Sequence, residues 1–168
     1  MNEWKRTAVK TVFLVLLTVL TFSFWSACAE GLRVFSLRAD VMPFLAAFIA
    51  IFFGKEWGAA FGCFAGVLMD TAADGTMGFY TVFLMVGAIL VGLLSEKYFR
   101  THLVASFLSG YVLYLLLNLL RLLIFFVIPG RASFATFFTY FMPAGLYSLL
   151  WSVPVFLILR RAWRRLEE

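Results

Sequence analysis

From Ala132 to Leu159 the sequence carries no charged residue, and Leu103 to Leu120 is equally free of charge. About 20 consecutive apolar residues are enough for a helix to cross the hydrocarbon core of a bilayer. A backbone placed in lipid must satisfy its own hydrogen bonds, which leaves helices or closed barrels. These runs lack the alternating apolar and polar pattern of barrel strands, so they predict spanning helices. Composition agrees. Of 168 residues, 64% are hydrophobic and 14% charged, whereas soluble chains carry roughly 45–50% and about 25%. No polar stretch exceeds about a dozen residues, too short for a separate water-soluble core. An integral membrane protein, forming one polytopic domain over residues 1–168, is the expected class.

Charges divide the chain into six apolar runs, at about 7–29, 41–54, 57–70, 78–95, 103–129 and 134–159. The first begins after Lys5, Arg6 and Lys10, as a signal peptide would, but its apolar part is longer than the usual h-region of roughly 7–15 residues. It is therefore read as a spanning helix. The second and third runs are short. Fourteen helical residues cover only about 21 Å against a hydrocarbon core of roughly 30 Å, so these two are either short spans or the legs of a re-entrant hairpin.

Basic residues orient the chain. With both termini inside, ten face the cytoplasm: Lys5, Arg6, Lys10, Lys55, Lys97, Arg100, Arg160, Arg161, Arg164 and Arg165. Arg33, Arg38 and Arg131 face out, and Arg121 lies within a helix. The net charge of +5 is thus a topology signal and carries no suggestion of nucleic-acid binding. Trp4, Trp57 and Trp163 fall near the inner boundary, where aromatic belts form.

Gly54, Gly58, Gly62 and Gly66 recur every four residues. On one helix they would make a flat stripe against which another backbone can pack closely. Such a stripe serves either a partner helix or packing within the chain, and internal packing is the simpler reading. Ala88 and Gly92 repeat the spacing on the fourth helix. Asp70 continues the stripe by one more step, in GVLMDTAADGTMGFY, and so is expected to point at a neighbour and away from lipid. An Arg buried in the bilayer costs about 2–3 kcal/mol or more unless paired. Arg121, in the outer half of the fifth helix, is therefore the expected ion-pair partner of Asp70, with Asp40 as competitor. A proton or substrate relay through the same two residues is the alternative, but relays need more titratable groups.

Asp74 and Gly75 form a turn signature. Pro143 and Pro154 start or kink the last helix. His102 is a solvated interface residue, and Cys28 and Cys63 are packing residues. There is no Walker A sequence, no HExxH and no Ser/His/Asp set. No catalytic residue, cofactor or metal ligand is expected, and the chain is not expected to be an enzyme.

The stretch from Pro43 to about Gly92, centred on WGAAFGCFAGVLMDTAADGTMGFYT, resembles the rod shape-determining protein MreD family. Gly58, Gly62, Gly66, Asp70, Gly78 and Pro43 carry the likeness, while Lys55-Glu56 gives this chain a charged turn. The resemblance implies a non-catalytic subunit of the bacterial cell-wall elongation machinery in the inner membrane. It further implies binding to the single-pass shape protein MreC and, through it, influence on a peptidoglycan polymerase–transpeptidase pair. It also implies a helical arrangement similar to the substrate-binding subunits of energy-coupling-factor transporters. A vitamin-binding transporter subunit is the alternative. It would need polar groups converging on an outer pocket, for which the chain offers Asp70, Arg121, Asn118, Tyr111 and Tyr114.

Overall fold

A computed structural model describes the chain except residues 1, 2, 29–39, 73–77, 100–102, 131–134, 136 and 168. Arg33, Arg38, Arg100, Arg131, His102 and the Asp74-Gly75 turn therefore lie outside the described residues, as does the side chain of Cys28. The described chain is helical, with no strand. Its α-helices are α1 (Glu3–Cys28), α2 (Met42–Phe53), α3 (Lys55–Ala72), α4 (Phe79–Leu94), α5 (Leu103–Leu122) and α6 (Met142–Glu167). π-Helical turns extend α4 over Ser95–Phe99, extend α5 over Leu123–Val127, and precede α6 over Phe137–Phe141. Pro143 stands in the first turn of α6 and Pro154 inside it.

Four of these helical stretches are long and apolar enough to cross a membrane: Trp4–Phe24, Phe79–Lys97, Leu103–Val127 and Phe137–Arg165. α2, at 12 residues, covers only about 18 Å. Its surroundings account for this. Every residue from Met42 to Ala50 is buried, as expected of a helix that is apolar on all sides. It packs on α3, α4, α5 and α6 and more lightly on α1. α2 is the central post of the bundle, enclosed by protein.

Aromatic rings fill the space around that post. Phe44 stacks on Tyr114 of α5 with ring centroids 5.9 Å apart, and Phe48 meets Phe107 at 5.3 Å and Phe156 at 5.1 Å. α1, by contrast, sits at the edge: Leu14 and Thr18 are buried, while Val12, Leu16, Leu20 and Phe24 are exposed. Thr18 satisfies its own hydroxyl by donating to the Leu14 carbonyl at 2.8 Å.

α3 and α4 form the most extensive helix pair, running antiparallel. The start of α3 faces the end of α4, where Gly92 packs on Lys55, and Lys55 Nζ lies 3.4 Å from Glu96 Oε2. Trp163 of α6 comes to the same end, with its ring 6.0 Å from that of Phe52. Asp70 and Tyr80 mark the opposite end.

Candidate functional site

The glycines separate into two roles. Gly54 lies outside α3, in the turn after α2, with φ +95° and open space where a Cβ would stand. Only glycine adopts this conformation without strain, so Gly54 is a turn residue and not the first step of the packing stripe. Gly58, Gly62 and Gly66 lie on α3 and are buried. A Cβ at Gly58 would run into Ala50 of α2. One at Gly62 would lie 2.8 Å from the Leu84 carbonyl oxygen and 3.1 Å from Cβ of Ala88, and one at Gly66 would strike the backbone of Thr81. A Cβ at Gly92 would lie 2.7 Å from Cα of Lys55. The small residues thus meet each other's helices, with Ala88 seated opposite Gly62, and these contacts lie within the chain.

Asp70 ends that face, and its environment corrects the expected ion pair. Its Oδ1 accepts the Tyr80 N–H at 3.0 Å; its Oδ2 accepts the Thr81 N–H at 3.0 Å and the Thr81 hydroxyl at 2.6 Å. Among the described residues no ion pair joins Asp70 to Arg121. The physical reason lies at the start of α4. The first N–H groups of a helix have no partner inside it, and the residue preceding α4 is Gly78, with φ +81° and no side chain to cap them. Asp70 supplies the missing cap from the neighbouring helix. A carboxylate is also favoured there by the positive end of the helix dipole.

Arg121 reaches the same place by another route. Its guanidinium carbon lies 5.7 Å from the centroid of the Tyr80 ring, a cation–π distance. Its Nε is buried and makes no hydrogen bond. Tyr80 is therefore held twice, by Asp70 at its backbone and by Arg121 across its ring face. The sequence signal for this was the four-residue step from Gly66 to Asp70, which pointed the carboxylate at a neighbouring helix without naming its partner. Tyr80 and Thr81 were not singled out from the sequence, because an aromatic ring and a hydroxyl at the start of an apolar helix carry no motif.

The other polar groups expected to converge on an outer pocket are engaged by the protein itself. Asn118 is buried and donates from Nδ2 to the Tyr114 carbonyl at 2.9 Å. The Tyr111 hydroxyl donates to the Met142 carbonyl at 3.3 Å. Asp40, the competing partner for Arg121, has its N–H on Ser148 Oγ at 2.8 Å, while its Oδ1 accepts the Met42 N–H at 3.3 Å. Ser148 in turn donates to the Ala144 carbonyl at 2.8 Å. These bonds tie α2 to α6 and cap α2.

Chemically, the arrangement stiffens helix ends. Among the described residues no group of three or more His, Cys, Asp or Glu side chains stands close enough to hold a metal ion. No protein-family model, curated protein or solved structure matches this chain.

Proposed function

We propose that this protein is a non-catalytic positioning subunit of the bacterial cell-wall elongation machinery in the cytoplasmic membrane. In this reading it spans the bilayer six times with both termini inside. It binds an MreC-like single-pass protein and acts on a peptidoglycan polymerase–transpeptidase pair through that partner. The resemblance of residues 43–92 to the MreD family supplies the identity of the partner. The observation that carries the scaffold reading is how the polar side chains in the bundle are used. Asp70, Asn118, Tyr111 and Ser148 are bonded to backbone groups of this chain, which favours rigid support over ligand capture. Burial of α2 among its neighbours is compatible with a span shorter than the bilayer, because α2 meets protein and not lipid.

Purification from native membranes, with mass spectrometry of bound proteins and small molecules, tests the proposal. A single-pass coiled-coil protein, accompanied by peptidoglycan synthases, is the expected companion. Recovery of a bound vitamin together with a pair of cytoplasmic ATPases, and no shape protein, would overturn it. The topology has its own test. A cysteine replacing Lys55 should react with an impermeant thiol reagent only from the cytoplasmic side.

A further inference from the structure

α4 and α5 meet closely at one level and part at another. A Cβ at Gly87 would run into Cδ1 of Leu113, so the two helices touch there. Toward the Lys55 end they diverge and leave a groove of about 320 Å³. Buried Val91, Leu113, Ser95 and Ser106 form its floor. Exposed side chains make its two banks: Leu90 and Leu94 on α4, Leu108, Val112 and Leu116 on α5. The groove opens sideways, out of the bundle.

Its dimensions identify an occupant. Along α5 the lining runs from Ala105 to Leu116, about 16 Å at 1.5 Å per residue. Half of a hydrocarbon core of roughly 30 Å is about 15 Å, so the groove is one leaflet deep. It starts where α4 and α5 leave the Lys55 end and narrows at the Gly87–Leu113 contact, about midway along the span Phe79–Lys97. A partner helix, about 10–12 Å across, is too broad to enter a cavity of this volume and would rest on its banks, leaving the floor uncovered. Such a gap forfeits dispersion contacts along its whole lining. Water is excluded by the apolar walls. Lys97 follows Ser95 by two residues at the end of the groove where a phospholipid's polar head sits. We propose that the α4–α5 groove holds one acyl chain of a phospholipid from the leaflet on the Lys55 side. The assignment is independent of the cell-wall reading and requires only that the bundle is embedded in a bilayer.

Photolabelling of the intact protein tests it. The protein is reconstituted in phosphatidylcholine vesicles containing phosphatidylglycerol with a diazirine on one acyl chain, placed either at the chain end or beside the carbonyl. The chain-end probe should label around Gly87, Leu113 and Leu116, and the carbonyl-side probe around Ser95 and Ala105. Labelling there should exceed that of the exposed α6 residues Leu146 and Leu157 by about five- to tenfold, the ratio given by roughly 1–1.4 kcal/mol of preference. Filling the groove with Ser109→Phe should reduce labelling to the α6 level while the unfolding temperature is retained. Labels spread evenly over every exposed apolar face of the wild-type protein would overturn the proposal. So would identical labelled residues from both probes.

Discussion

At the scale of single residues, Asp70 shows how a charge can be used at a helix junction without a counter-charge. It accepts three hydrogen bonds from Tyr80 and Thr81, and hydrogen bonds to a charged group contribute about 1.5–3 kcal/mol each. Because loss of a helix cap costs about 0.5–2 kcal/mol, Asp70→Ala is expected to destabilise the protein by about 2–4 kcal/mol, followed by denaturant unfolding in micelles. Asp70→Asn should lose less, since its amide keeps one acceptor oxygen. A double-mutant cycle locates the partner. Asp70→Ala should couple to Thr81→Val by about 1 kcal/mol, and to Arg121→Ala by less, because contacting residues couple and residues without a shared bond nearly add. Larger coupling to Arg121 than to Thr81 would restore the ion pair that the sequence suggested. Asp70 was legible as a residue facing a neighbour, from its step of four beyond Gly66. Its partners were not, because backbone N–H groups carry no signature in a sequence.

At the scale of elements, the glycines of α3 and α4 set how near these helices approach, and what stands opposite decides the cost of changing each. Gly66→Ala drives a methyl group into the Thr81 backbone, which cannot move without shifting α4. A loss of about 2–3 kcal/mol is expected, at the upper end of overpacking costs. Gly87→Ala meets only the tip of the Leu113 side chain, which can change rotamer, so a loss under about 1 kcal/mol is expected from the same unfolding measurement. Equal losses at the two positions would show that α4 shifts as a whole to admit either methyl. The four-residue spacing announced close packing on α3. It could not separate Gly54, whose positive φ serves the turn, because helix-packing and turn glycines look identical in sequence.

At the scale of the whole molecule, one short helix enclosed by longer ones sets where stability resides. Phe48 on α2 is fully buried and touches the rings of Phe44, Phe107 and Phe156. Phe48→Ala should therefore cost about 3–5 kcal/mol, the usual range for a buried ring. Leu16, on the outer face of α1, is 55% exposed, and Leu16→Ala should change stability by less than about 1 kcal/mol, since lipid replaces lipid-like contacts there. Unfolding in micelles compares the two. The Lys55–Glu96 pair is exposed on both side chains, so Glu96→Gln should shift stability by no more than about 1 kcal/mol.

The sequence by itself determined the class of the protein and the course of its helices. Long uncharged runs leave no other way to satisfy a backbone in lipid, and each expected run contains a helix. Tertiary structure alone decided that the short second helix stands at the centre, because hydropathy is the same for a helix facing lipid and one facing protein. It also decided that Asp70 caps α4 while Arg121 lies over Tyr80. Those outcomes depend on the antiparallel register of α3 and α4, which sets Asp70 beside the bare N-terminus of α4, and on the packing of α5, which brings Arg121 over Tyr80.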